Sequence, residues 1–236
     1  MRALSAQEML DTWERGFPQP LLMRALTLLA AASPEMPRDA LMQLTIGERN
    51  ERLLTLREWA FGSQITGTAT CPACGEKLDL QFSSADIRVQ ARDEAAALQI
   101  DVDDYHVRFR LPNSADLLAA NSQPGLLAQC LLSVDSPNEN SDSDSLPAPV
   151  VDAIAERMAQ ADPQANVQLA LTCPNCNHAW QAIFDIVSYF WAEINAWAIR
   201  ILREVHTLAR AYGWREADIL ALSPQRRQIY LNLVGA

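Results

Sequence analysis

Thr70-Cys71-Pro72-Ala73-Cys74-Gly75 and, with Cys173 placed 99 residues after Cys74, Thr172-Cys173-Pro174-Asn175-Cys176-Asn177 are the stretches that decide the fold of this chain. A two-residue spacer lets one tight turn aim two sulfurs at the same point. Each knuckle sits between alternating segments. Gly67 to Thr70 leads into the first, and Leu78, Leu80 and Phe82 alternate with Asp79 and Gln81 on the way out. Val167, Leu169 and Leu171 lead into the second, and Trp180, Ala182 and Phe184 follow it. A period of two is that of a strand, so each Cys-Pro-x-Cys reads as the tip of a β-hairpin. Two such tips complete a tetrahedral shell of four thiolates. The spacing predicts one structural Zn2+ per chain on Cys71, Cys74, Cys173 and Cys176. A full shell leaves no position open to a substrate, so the site is expected to staple the fold rather than catalyse.

The residues between the knuckles must then form an insertion whose ends return close together. The expected class is α+β, mostly helical: a zinc-ribbon-like pair of hairpins, an inserted α/β subdomain and a C-terminal helical segment. The boundaries read as a helical region over 1–64, a discontinuous ribbon over 65–84 and 166–186, the insertion over 85–165, and a long helix with terminal helices over 187–236.

Local signals support that division. Ser5 with Glu8 and Thr45 with Glu48 have capping-box spacing, in which side chain and backbone satisfy each other's free N–H groups. The first box opens a helix with Met9, Trp13 and Phe17 at helical spacing, and a second helix runs from about Leu21 to Ala31. The Thr45 box starts a helix with Leu53, Leu56 and Ala60 on one face, ended by Gly62. Within the insertion, His106 to Leu111 predicts a strand, Asn113 or Ser114 caps a helix to Ala120, and Leu126 to Leu132 predicts a further helix. Residues 133–149 are rich in Ser, Asp, Asn and Pro and read as a flexible acidic loop, with a helix from about Val150 to Gln160 after it. From Val187 to Ala211, Phe190, Trp191, Ile194, Ala198, Ile201, Val205 and Leu208 keep steps of three and four, and Gly213 stops that helix. Trp214 to Leu222 and a segment opened by Ser223-Pro224 complete the helical end, the last with Ile229, Tyr230 and Leu233 on an apolar side. Tyr189, Phe190, Trp191 and Trp197 ring much of the long helix, which implies two packed surfaces, one of them open to a partner.

Composition narrows the function. The formal net charge is −10, and Lys77 is the only lysine. Such a chain is repelled by nucleic acid and by anionic membranes. The first residues lack the apolar core of a signal peptide, and Pro20 to Ala32 is too short to span a bilayer. The expected compartment is the cytosol, where paired cysteines serve as metal ligands more often than as disulfides. A thiol redox protein is the competing reading of Cys-Pro-x-Cys, but that motif needs a helix after it to lower a thiol pKa, and here strands follow. A nucleic-acid-binding ribbon is the other alternative, resting on Arg200, Arg203, Arg210, Arg215, Arg226 and Arg227. Cys130 reads as a buried free thiol, His178 as a neighbour of the metal site, and His106 and His206 as surface histidines. Neither a Gly-rich phosphate loop nor a nucleophile elbow is present in the sequence.

Several segments together carry a resemblance. They are Thr45-Ile-Gly-Glu-Arg-Asn-Glu-Arg-Leu-Leu, Cys71-Pro-Ala-Cys-Gly-Glu, Val107-Arg-Phe-Arg-Leu-Pro-Asn-Ser-Ala-Asp-Leu, Cys173-Pro-Asn-Cys, Phe184 to Ile194, and Glu204 through Leu222-Ser-Pro. They resemble small proteins of contractile phage tails and phage-tail-like injection systems, similar to the baseplate hub assembly proteins of T-even phages. The resemblance implies a non-enzymatic role in building the hub, with hub, spike or tube-initiating proteins as partners. Retention in the finished particle is left open by it.

Overall fold

The computed structural model describes residues 1–89, 97–120, 122–135 and 146–234. The elements in chain order begin with α1 (Ala6–Gly16), α2 (Leu21–Ala32), α3 (Arg38–Met42), α4 (Ile46–Phe61), β1 (Gln64–Thr70), β2 (Lys77–Ser83) and α5 (Ser84–Ile87). The middle of the chain holds β3 (Leu98–Val102), β4 (Tyr105–Phe109), α6 (Ser114–Ala119), α7 (Gln123–Cys130) and β5 (Leu131–Asp135). It closes with α8 (Ala148–Ala161), a 3-10 turn (Pro163–Ala165), β6 (Gln168–Thr172), β7 (Ala179–Ile183), α9 (Ile186–Tyr212), α10 (Glu216–Leu220) and α11 (Pro224–Val234). The class is α+β, and helix predominates. Among the described residues no helix is long and apolar enough to cross a membrane.

The chain forms two compact units. One joins Met1–Met36 to Ile186–Ala236, and the other is Pro37–Asp185. The first is all helical. Ala198, Ile201, Val205 and Leu208 of α9 form its core with Leu10 of α1 and with Ile219 and Leu220 of α10. Trp197 packs onto that core, and Phe190 and Trp191 are buried. The Trp191 ring lies so close to α1 that a Cβ at Gly16 would meet it at 2.5 Å, and Arg24 stacks over it at 4.8 Å. The capping box of Ser5 and Glu8 is formed, and Gly213 turns the chain at φ 68° past the end of α9. The last helix packs differently from its apolar reading. Ile229 and Leu233 are 54% and 60% exposed, whereas Arg227 is buried, its guanidinium on Glu204 at 3.1 Å and on the Leu222 carbonyl at 2.7 Å. Tyr230 turns inward to pack against Trp214.

The second unit carries both hairpins. β1 pairs antiparallel with β2, β6 with β7, and β3, β4 and β5 make a separate sheet. Val107 and Phe109 of β4 share a core with Leu98, Val150 and Ile154, which sets α8 on that sheet. Leu131 and Leu132 belong to strand β5 and not to the helix expected over 126–132. The helix stops at Cys130, and Leu132 is the extra residue of a bulge opposite Arg108 and Phe109. Of the acidic stretch 133–149, Ser133 to Asp135 lie in β5 and Ala148 opens α8, while 136–145 lie outside the described residues.

Buried polar groups hold the insertion's ends against α4. Asp162 accepts from the Gly47 N–H at 2.8 Å in the first turn of α4, next to the formed capping box of Thr45 and Glu48. Burial raises the Asp162 pKa, and the bonds from Gly47 and Thr45 only partly offset it. Asn50 reaches the Gln164 carbonyl at 3.2 Å, and the Val89 N–H donates to Gln164 Oε1 at 2.8 Å. On α4, Leu53 and Leu56 are buried as expected, but Ala60 is exposed and Arg57 takes an inner place. Arg57 donates to the carbonyls of Gly62 and Gln64 at 2.7 and 2.6 Å and so fixes the exit from α4 into β1.

A Cβ at Gly47 would run into the Asp162 carboxylate. Gly47→Ala is therefore expected to destabilise the chain by about 3 kcal/mol, from overpacking plus the displaced hydrogen bond. Gly67→Ala in β1 meets only open space and is expected to stay within about 0.5 kcal/mol of the parent. Denaturant midpoints compare the two variants.

Candidate metal centre

The two knuckles have the same backbone plan. In the first, the Gly75 N–H bonds the Cys71 carbonyl and the Cys71 N–H bonds the Glu76 carbonyl. In the second, the Asn177 N–H bonds the Cys173 carbonyl and the Cys173 N–H bonds the His178 carbonyl. Both turns need a left-handed residue directly after the second cysteine, and Gly75 (φ 77°) and Asn177 (φ 58°) supply it. Glycine has no Cβ to clash there, and asparagine is among the residues that tolerate the conformation.

The four sulfurs all lie within 4.8 Å of one another. Across the knuckles, Cys71 lies 3.7 Å from Cys176 and Cys74 lies 3.6 Å from Cys173. A disulfide needs about 2.05 Å, so these are not bonded sulfurs. A tetrahedral ion with metal–sulfur bonds near 2.3 Å sets its ligands about 3.8 Å apart. The observed separations fit one such ion. Cys71 and Cys173, the first cysteine of each pair, are buried, while Cys74 and Cys176 are exposed.

The electrostatics point the same way. Burial opposes ionisation of Cys71, but N–H groups of Cys74 and Ala73 outweigh it and bring the thiol down to about 7. Cys176 has the His178 N–H in its favour, yet the neighbouring cysteines and burial push it up to about 12. Four gathered thiolates repel one another, and a divalent cation removes that conflict by ligating them all. Such an ion would supply a structural cross-link and nothing more, because the protein sulfurs already fill its shell.

A family model described as T4 bacteriophage base plate protein matches residues 26–191. The chain belongs to that family. The matched span starts within α2, takes in all four cysteines and ends within α9. The resembling segments from Thr45 to Cys176 fall inside it, and Glu204 to Pro224 lies beyond it. Comparisons with curated proteins and with solved structures give no significant match.

The other candidate residues of this base plate family member lie apart from the cluster. The His178 ring stacks on Trp180 at 6.0 Å and does not join the four sulfurs. His106 pairs with Asp101 at 2.7 Å on the exposed face of β4, which raises its pKa through that hydrogen bond. Cys130 is buried, and burial pushes its thiol up to about 11. Asn175, which the sequence reading passed over, extends its amide to Cys74 Sγ at 3.9 Å across the knuckles. Its place between two cysteines was the only available signal.

The purified chain is expected to hold one zinc ion per molecule. Serine at Cys71, Cys74, Cys173 or Cys176 is expected to abolish stoichiometric metal and lower the melting temperature, while Cys130→Ala and His178→Ala keep the metal. Elemental analysis alongside thermal unfolding reads both effects, and retained zinc in Cys71→Ser would refute this ligand set.

Proposed function

We propose that this protein is a non-enzymatic assembly or structural component of the baseplate hub of a contractile phage tail or tail-like injection system, acting by docking onto other tail proteins. The family match over residues 26–191 carries the reading. In it, the hairpins over 65–84 and 166–186 form one discontinuous zinc ribbon that holds the insertion over 85–165. Hub, spike or tube-initiating proteins are the expected partners, met in the host cytosol during assembly. The terminal helices offer docking surface: Ile229 and Leu233 lie exposed one turn apart on α11, with Arg226 beside them. The long helix offers less, since nine of its residues from Ile186 to Leu208 are buried.

The alternatives have less support. A redox dithiol needs the two sulfurs of one Cys-x-x-Cys alone, yet here all four sulfurs from both knuckles gather within 4.8 Å of one another. For a nucleic-acid surface, Arg227 is buried on Glu204 and Arg215 pairs with Asp218 at 3.1 Å; Arg200, Arg203, Arg210 and Arg226 stay exposed, but the formal net charge of −10 opposes binding to a polyanion.

Co-expression with the hub, spike and tube-initiating proteins of a contractile tail tests the reading. The chain is expected to co-purify with at least one of them and to carry its zinc in the complex, and Ile229→Asp with Leu233→Asp to reduce recovery about ten-fold. Recovery as an inert monomer, or salt-sensitive binding of DNA or RNA at micromolar protein, would overturn it.

A further inference from the structure

The two hairpins meet at both ends and part between them. The cysteine cluster joins their tips, and Phe82 meets Phe184 edge-to-face at 5.7 Å near their bases. Both hairpins line a cavity of about 490 Å³ toward their bases, where Asp86, Ile87, Val89, Pro163, Asn166 and Val167 also border it. Its walls include Leu80, Gln81 and Phe82 of β2 and the run Gln168 to Leu171 of β6. Consecutive residues show both faces of a pleat only along a strand's edge, so the walls are strand edges. β1 and β7, on the far sides of the hairpins, contribute no lining residue.

Ladder parity says which backbone groups face the gap. The Glu76 carbonyl and the Ser84 N–H both bond toward the β1 side, so on β2 the even-numbered residues point that way and Asp79 and Gln81 point away. The Val167 carbonyl and the Cys173 N–H both bond toward the β7 side, so on β6 Gln168 and Ala170 point away. Among the described residues neither edge has a strand partner. Two facing edges with free N–H and C=O groups match one extended backbone and little else. Half-buried Leu80, Phe82, Leu169 and Leu171 provide apolar seats beside it. The lining holds one charged side chain, Asp86, and no cation, which favours a neutral or basic segment over an acidic one.

We propose that this cleft receives an extended strand from another protein, neutral or basic with alternate apolar residues, which pairs with β2 and β6 together and completes a five-stranded sheet. The inference rests on the docking reading for the partner's being a tail protein, but not for the cleft's chemistry. Its test therefore uses no tail protein.

Displayed random peptides of about twelve residues, longer than a usual strand, are selected on the intact, metal-loaded chain. The selected peptides are expected to alternate apolar and polar residues and to lack acidic excess. Bound peptide should slow amide exchange at Gln81, Gln168 and Ala170 by about ten-fold or more. Ala170→Pro removes an N–H aimed into the gap and spares the β7 ladder, so it should weaken binding about ten-fold with zinc retained. Leu169→Asp, again with zinc retained, should do the same. Failure to select any peptide, protection of one hairpin alone, or unchanged affinity in both variants would overturn the proposal. So would slowed exchange at these amides that rises with chain concentration in the absence of peptide, since that assigns the edges to a second copy. Binding peptides with no co-purifying hub protein would sink the baseplate docking and leave the cleft standing.

Discussion

Four thiols from two knuckles, with Cys74 and Cys173 99 residues apart and Cys71 and Cys176 105 apart, converge within 4.8 Å, and this convergence constrains the whole second unit. Closing a loop of about a hundred residues costs about 4–5 kcal/mol in chain entropy. A structural zinc, as proposed here, contributes on the order of 10 kcal/mol and exceeds that cost. The metal would not act alone. Asp162 on Gly47, Gln164 on Val89 and Asn50 on Gln164 tie the ends of the insertion near the bases of both hairpins. With those ties in place, the tips need only a short search to meet.

The same arrangement explains why the hairpins remain separate two-stranded sheets. An isolated two-stranded hairpin is marginal in water. Here each is pinned at its tip by the cysteines and at its base by the contact between Phe82 and Phe184. Pinning at two points supports strands that do not pair with each other, and so tolerates two open edges side by side. Edges of this kind are a liability unless managed, and Lys77 on β2 and the prolines of both knuckles are features that discourage indiscriminate pairing.

Much of this was legible in the sequence because its signals are local. The boxes at Ser5 and Thr45, the period of α9 and the alternation around both knuckles each follow from residues within a few turns of one another. The gathering of the four cysteines was readable for a different reason, since two Cys-Pro-x-Cys tips have few uses apart. What escaped was either ambiguous or distant. The apolar run from Leu126 to Leu132 suits a helix or a strand, and only pairing with β4 turns Leu131 and Leu132 into β5. Leu98, Ile100 and Val102 alternate, but over a run too short to stand out until β4 lies beside it. Ile229 and Leu233 look like a core face, yet tertiary packing turns Arg227 and Tyr230 inward. Asp162 is 115 residues from the Gly47 it caps, and nothing local marks that pairing.

Four arginines of this chain make contacts that lysine could not reproduce. Arg24 donates to the carbonyls of Gly16 and Phe17 at the end of α1, and Arg57 to Gly62 at the end of α4. Arg110 grips Asp116 through two bonds while also reaching the Gln129 carbonyl in the last turn of α7, and Arg227 holds Leu222 just past α10. In each case one planar fork serves two acceptors, at least one of them a carbonyl left free where a helix ends. An ammonium group carries three donors on a compact point and cannot span such pairs in a fixed plane. Burial sharpens the difference, because a lysine taken out of water readily gives up its proton while a guanidinium stays charged. These four arginines are helix-end fittings, whereas Arg200, Arg203, Arg210, Arg215 and Arg226 stay exposed, so it is the formal net charge of −10 that sets the chain against nucleic acid and leaves its apolar surface and strand edges to meet other proteins.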